Sequence, residues 1–308
     1  MNQLGETSQM KQRIESLKRQ DSYFWILGLM TLVFVLVILL SLIIDMALSG
    51  WTRISLDFFL SFPSRFPEKA GILSAWVGSL CVVFVTAMIS IPLGVASGIY
   101  LEEYSKKNIW TKIIEINILN LAGIPSITYG LMALGIFVYQ FRLGQSILTA
   151  GLTLGLLVLP IIIVTTREAI RTIPSHIREA SYSLGATRWQ TIWNHILPYS
   201  SGGILTGVVI ALSRAIGETA PLITVGALTF IAFLPTPPVL AVPPFVSAGW
   251  LLDPYTVMPI QMFNWVSRPQ EQFHVNAAAT GLVLLAMTLI LNAAAIFVRY
   301  RFRKKYKW

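Results

Sequence analysis

Apolar runs of about 20 residues, the length a helix needs to cross the hydrocarbon of a bilayer, recur along this chain with polar stretches between them. A helix in lipid must close its own backbone hydrogen bonds, so each run predicts one spanning helix. Six are expected, over 23–48, 75–100, 116–139, 146–166, 204–233 and 275–298, the third being the least apolar. The stretches between them are an N-terminal arm (1–22), loops at 49–74 and 101–115, longer segments at 167–203 and 234–274, and a basic tail at 299–308. The pattern describes an all-α integral membrane protein with six transmembrane helices.

Composition agrees with the pattern. The 308 residues are 55% hydrophobic and 12% charged, and a mean hydropathy of +0.69 exceeds what a soluble domain needs for its core. A net charge of +9 could suggest a nucleic-acid partner. The basic residues, however, fall in short clusters between apolar runs and not on one polar face. Lysine and arginine stay on the cytoplasmic side of a membrane. Lys11, Arg13, Lys18 and Arg19, then Lys106, Lys107 and Lys112, then Arg167, Arg171, Arg178 and Arg188, and finally the tail "RYRFRKKYKW", all fall on one side of a six-span topology. The other side receives Arg53, Arg65, Lys69, Arg142 and Arg268. Both termini are therefore expected in the cytoplasm. The first run follows a polar leader and is long enough to span, so it reads as a retained helix and not a cleaved signal. The leader reads as a short amphipathic helix or a disordered arm. No internal repeat is visible, which argues against an inverted-repeat carrier.

Cys81 lies inside an apolar run and reads as a packed residue, and His176, His195 and His274 lie in different regions without metal-ligand spacing. Glycine pairs at 94/98, 151/155 and 203/207 have the spacing that lets membrane helices approach closely. The external segment 234–274 is rich in proline and aromatics. It is expected to form a shaped cap, with Trp250, Tyr255 and Trp265 either anchoring it at the membrane surface or belonging to a docking face for an external partner.

The cytoplasmic segment reads "REAIRTIPSHIREASYSLGATRWQTIWNHILPYSSGG". Pro174 ends the helix leaving the fourth span, and Ser175 is expected to cap a new one. Gly185 stands where that helix should stop. A second short helix, from about Thr187 to Ile196, is expected to end at Pro198, with Trp189, Ile192, Trp193 and Ile196 on one apolar face. A helical knob of this kind suits a groove on another protein.

In "EASYSLGATRWQTIWNHILP", Glu179, Ala180, Gly185, Ala186, Leu197 and Pro198 resemble the EAA signature of ABC importer permeases, with Ser181 at the position of the second alanine and His195 at that of an isoleucine. "GIPSITYGLMAL", "GILTGVVIALSRAIGETAPLITVGA" and "MPIQMFNWVSRPQEQFHVNAAATGLVLL" extend the resemblance, from about Ser74 onward, to the PstA family of phosphate-importer permeases. The resemblance implies a type I, MetI-like permease fold over about 70–300. It also implies a PstC-like permease partner, two copies of a PstB-like ATPase that receive the knobs of the two permeases, here through Glu179, Ala180, Ser181, Gly185, Ala186, Leu197 and Pro198, and an external phosphate-binding protein. ATP with magnesium would be hydrolysed by the ATPase, since this chain has no Gly-rich loop ending in Gly-Lys-Ser/Thr and is expected to bind no cofactor itself.

Within the fifth run, "ALSRAIGETAPLITVGAL" places Arg214 and Glu218 one helical turn apart. A charge at the bilayer centre costs about 2.5–3.5 kcal/mol on insertion scales, so the pair should face protein or water. It either fixes helix packing as an ion pair or lines a route for an anion. In the second reading Arg214 offers a planar, permanently charged fork to an oxyanion, while Glu218 orients it and limits its grip. Gly217 and Pro221 predict a bend, with Thr219 adding a hydroxyl. Ser126 and Thr128, after Pro125 in the third run, are candidates for the same route or for bonds to their own helix. The residue types leave sulfate and molybdate open as cargo beside phosphate, and a secondary anion transporter or channel open as a machine.

Overall fold

The computed structural model describes residues 2–106, 108–238 and 247–305, with side chains described for Arg13 and from Leu17 to Arg301 within those stretches. Lys11, Lys107, the 239–246 part of the proline-rich loop and the basic tail beyond Arg301 were read from sequence and lie outside the described side chains.

Every regular element of the described chain is helical, the α-helices being α1 (Asn2–Gly50), α2 (Leu56–Leu60), α3 (Leu73–Ile99), α4 (Ile109–Ala122), α5 (Ser126–Ala133), α6 (Ile147–Arg171), α7 (Ser175–Ser183), α8 (Arg188–Thr191), α9 (Leu197–Gly217), α10 (Ala220–Val225), α11 (Met258–Val266) and α12 (Glu271–Lys305). Five helical stretches are long and apolar enough to cross a membrane, and a sixth arises if the bent pair formed by α4 and α5 counts as one span.

Helix α6 is the axis of the bundle. About two thirds of its apolar window (67%) is buried, against none for α1 and 6% for α12, so the bundle is built around α6 with α1 and α12 outside it. Small residues make this possible. A Cβ on Gly94 or Gly98 of α3 would lie 2.6 Å from Ile162 or 2.7 Å from Thr166 of α6, and Gly151 of α6 abuts Val85. Across the other face, Gly203 and Gly207 of α9 meet Ala169 and Thr165. Gly155 alone among these glycines has only an ordinary contact, with Ile89 at 3.8 Å. Among the hydroxyls buried between the helices, Thr153 donates to the Thr149 carbonyl at 2.6 Å and Thr86 to that of Val82 at 2.9 Å, which offsets the cost of taking these two out of water, whereas those of Ser90 and Thr166 have no partner among the described residues.

Helix α1 is one uninterrupted helix that includes the leader, and its apolar side chains from Tyr23 to Leu40 are exposed, as expected of a helix facing lipid on most sides. It meets the rest of the chain at its end, where Gly50 lies against the backbone of Ala278 and Ala279. Arg53 then ties that end together. Its Nε donates to Asn276 Oδ1 at 2.9 Å, and its Nη2 donates to the carbonyls of Pro67, Glu68 and Ala70 at 3.3, 2.7 and 2.9 Å.

Three sequence expectations need correction. The third run is not one straight span: α4 and α5 meet at 104° across Gly123, Ile124 and Pro125, because Pro125 has no N–H and pushes Ile124 out of the helical region. The fifth run is not helical to 233. Helix α9 stops at Gly217, and α10 ends at Gly226 in the left-handed conformation (φ +96°), packed on the Gln145 side chain. The chain beyond is irregular, its Leu228 N–H bonded to the Tyr255 carbonyl at 3.0 Å. Finally, Tyr255 and Trp265 are not surface anchors, being 2% and 0% exposed. The segment that carries Tyr255 folds into the bundle, with the Met258 N–H on Ser79 Oγ at 2.9 Å and Thr256 against Gly78.

A leucine in place of Gly98 must push α3 and α6 apart. Gly98→Leu is expected to cost about 1–3 kcal/mol by overpacking, measured as a lower thermal midpoint of the detergent-purified protein. Gly28→Leu, at a lipid-facing position with nothing within 4 Å, leaves the midpoint unchanged.

Candidate functional site

The break in the fifth span is short and well defined. Glu218 has extended backbone (φ −75°, ψ 127°), and α10 restarts with Pro221 in its first turn, where the missing N–H has no helical partner to lose. The N–H groups of Leu222 and Ile223 both reach the Thr219 carbonyl at 3.1 Å. Arg214 sits in the last turn of α9, where a cation also complements the carbonyl end of the helix. Its Nε donates to Glu218 Oε1 at 3.1 Å. The arginine side chain is 41% exposed and the glutamate 18%, so the pair is not a sealed packing lock. Among the described residues, the two Nη groups of Arg214 make no hydrogen bond, which leaves the outward fork of the guanidinium free.

The break in the third span lies beside it. Gly130 of α5 packs directly on α10, where a Cβ would lie 2.6 Å from the Pro221 carbonyl oxygen and would collide with Thr224. Across the 104° bend, Tyr129 Oη donates to the Leu121 carbonyl at 2.8 Å and fastens α5 to the end of α4. Ser126 and Thr128 therefore stand on the helix that faces the segment after Glu218 and Thr219. Thr128 Oγ1 donates to the Pro125 carbonyl at 2.7 Å, the local bond that such a hydroxyl often makes. Neither residue is hydrogen-bonded to Arg214 or Glu218 among the described residues.

On the cytoplasmic side, α7 and α8 form a compact turn. The Ala186 N–H bonds to the Ser181 carbonyl and the Gly185 N–H to that of Tyr182, at 3.2 and 2.9 Å, with Gly185 left-handed at φ +84°. This is the glycine-terminated stop that the sequence predicts. Thr187 and Gln190 then form a capping box at the start of α8. Ser181 is buried and its Oγ lies 2.8 Å from Thr191 Oγ1, which joins the two short helices. Glu179, Ala180 and Gly185 face outward, as does Leu184 at 89% exposure.

Details of this knob differ from the sequence expectation. Ser175 is the first helical residue, after Pro174, and makes no side-chain cap. Pro198 stops nothing: a π turn over Ile192–Ile196, in which the Leu197 N–H reaches back to Ile192, joins α8 to α9, so the knob and the fifth span are continuous. The extra residue per turn also splits the expected apolar face. Ile192 and Ile196 are buried with Ile170 and Ile173, whereas Trp189 and Trp193 face outward, stacked 5.7 Å apart.

A family model described as the binding-protein-dependent transport system inner membrane component matches residues 90–308. The chain belongs to that family. It is a multi-pass inner-membrane protein and a permease subunit of an ABC importer. The permease is 31% identical over 255 residues to the phosphate transport system permease protein PstA of Xylella fastidiosa (strain Temecula1 / ATCC 700964), covering 81% of this chain and 83% of that one. It is 33% identical over 192 residues to the probable ABC transporter permease protein YqgI of Bacillus subtilis (strain 168), covering 62% and 65%. Among solved structures, a bacterial ABC transporter involved in the import of the acidic polysaccharide alginate aligns with a TM-score of 0.63 at 14% identity, over 94% of this chain and 99% of that one, which shows the shared type I permease fold.

A group of ionic contacts at the cytoplasmic end escaped sequence reading. Arg167 and Arg171 of α6 and Arg178 of α7 pair with Glu102 and Glu103, which follow α3, and with Glu115 of α4. The adjacent carboxylates at 102–103 and the arginines spaced by four at 167 and 171 were the only available signal.

The stop at Gly185 yields a prediction. Gly185→Val places a β-branched residue in the left-handed region, at about 1–2 kcal/mol or more. Amide exchange over residues 180–191 should accelerate accordingly, while exchange in α6 stays unchanged.

Proposed function

We propose that this permease forms half of a translocation pathway for inorganic phosphate, with a PstC-like permease as the other half. In this reading two copies of a PstB-like ATPase receive the knobs of the two permeases, one of them docking on α7 and α8 of this chain through the outward Glu179, Ala180 and Gly185, while Ser181, Ala186, Leu197 and Pro198 hold its shape. An external binding protein delivers the phosphate, and ATP with magnesium is hydrolysed in the ATPase.

The observation that carries the cargo assignment is the guanidinium of Arg214, held through Nε by Glu218 with its Nη fork unoccupied and reaching solvent. Removing phosphate from water is prohibitive unless donors and positive charge replace its hydration. A fork of two parallel N–H groups does this for two oxygens of one tetrahedral anion. Glu218 keeps the fork oriented and opposes tight capture, so the anion can leave. Thr219, Ser126 and Thr128 supply hydroxyl oxygens around the two breaks. The PstA relatives support phosphate over sulfate or molybdate, whose shape and oxygen atoms the same fork would accept.

The test is reconstitution of the chain with its partners in vesicles and measurement of ATP-dependent uptake of labelled phosphate, sulfate and molybdate. Uptake of phosphate, dependent on the ATPase subunits, is the expected result; uptake of sulfate or molybdate in its place would transfer the assignment to that anion. Arg214→Lys keeps the charge and loses the fork. Phosphate uptake should then fall at least about tenfold, the worth of one charge-assisted hydrogen bond at about 1.5 kcal/mol, with normal assembly of the complex. Cysteines replacing Glu179 and Gly185 should each crosslink to the ATPase.

A further inference from the structure

The knob has two arms. Through α8 it continues as unbroken helix into α9. Through α7 it follows α6 after the three residues 172–174, and charge ties it to the rest of the bundle. Arg178, on the inner side of α7, donates from Nε and Nη2 to Glu103 Oε1 at 3.0 and 2.7 Å. The same guanidinium donates to the carbonyls of Ile173, just beyond α6, and Ile170, in its last turn, at 2.9 and 3.2 Å. Glu103 is 7% exposed and Arg178 20%, so this pair is shielded from water and salt far better than a surface bridge. One side chain of α7 therefore grips both the end of α6 and the turn that follows α3.

The contacts continue inward. Next to Glu103, Glu102 accepts from Arg171 Nε at 2.9 Å and lies 3.6 Å from Arg167 Nε. Arg167, buried in α6, donates from Nη2 to Glu115 of α4 at 2.6 Å. Helix α4 ends at the break over Gly123–Pro125, where Tyr129 fastens it to α5, and α5 rests on α10 just beyond Glu218. A cavity of about 550 Å³ lined by Glu102, Lys112, Glu115 and Arg171 lies alongside these contacts and leaves room for α4 to shift against α6.

We propose that Arg178–Glu103 and Arg167–Glu115 are positioning pairs that carry movement of α7 to α4, and so deliver ATPase action to the α5 side of the broken spans while α9 delivers it to the Arg214 side. Without the pairs, the knob would still bind and the ATPase would still turn over, but one wall of the pathway would no longer follow it. This inference rests on the docking of the ATPase at α7 and α8 proposed above.

The test uses the complete reconstituted importer and reads two rates, ATP hydrolysis and phosphate uptake, whose ratio a general loss of stability would not change selectively. For Glu103→Gln and Glu115→Gln, hydrolysis is expected within about twofold of the parent while phosphate moved per ATP falls at least about fivefold, the lower end of ordinary coupling effects. The exchange Glu103→Arg with Arg178→Glu should recover most of that ratio, whereas either change alone should not. An unchanged ratio in both Gln variants, or equal losses of both rates with no recovery in the exchanged pair, overturns the relay. Where a variant fails to assemble, Glu103→Asp and Arg178→Lys, which keep the charges, are measured in its place and should retain more than half of the ratio if the relay holds. Failure of the docking premise shows separately, as absence of ATPase crosslinks at positions 179 and 185 in otherwise unaltered protein.

Discussion

In hydrocarbon no backbone N–H or carbonyl can be left without a partner, and the rest of this structure is arranged around that requirement. Helices α3, α6, α9 and α12 meet it largely internally, with Pro92 of α3 and Pro160 of α6 each withholding one donor. The two interruptions, at 123–125 and 218–219, are tied to neighbouring protein by a few contacts. Gly130 lets α5 reach the backbone of Pro221, Tyr129 bonds to a carbonyl at the end of α4, and the Thr219 carbonyl takes two N–H groups of α10. Polar chemistry then gathers where the backbone is already irregular and open to solvent. Arg214 and Glu218 occupy that place and no other part of the fifth span.

The two breaks can lie together because of what surrounds them. Helix α6 presents Gly151 and Thr166 to α3 and Thr165 and Ala169 to the glycines of α9, so both neighbours approach it closely. The external segment adds Tyr255 and α11 as a plug from the other direction. The part of it that carries Tyr255, Trp265 and Phe273 belongs to the core, and these aromatic residues are buried and not spread along the membrane surface.

The number of spans, the cytoplasmic knob with its Gly185 stop, and the weak points at Pro125 and Pro221 were legible in the sequence, since apolar length, fixed motif spacing and proline chemistry act locally. The 104° bend was not, because Gly123, Ile124 and Pro125 sit inside one apolar run and composition cannot tell a straight helix from a folded one. The irregular stretch after Gly226 failed for the same reason: its exposed Leu228, Phe230, Phe233 and Leu234 are as apolar as a spanning helix, and only the glycine marked the end. The π turn at 192–196 changed which residues share a face, so the tryptophans and isoleucines separated. The ionic contacts join residues 52 and 75 apart in the chain, a pairing that no local pattern contains.

The continuity across Pro198 has a geometric consequence. From Arg188 to Gly217 the chain is a single column of 30 residues, about 45 Å long at 1.5 Å per residue. Rocked about its cytoplasmic foot by only about 5°, a column of that height sweeps its top through about 4 Å. That distance is comparable to the width of a small tetrahedral anion. A modest tilt imposed at one membrane surface is thus enough, by leverage alone, to open or shut a passage near the other.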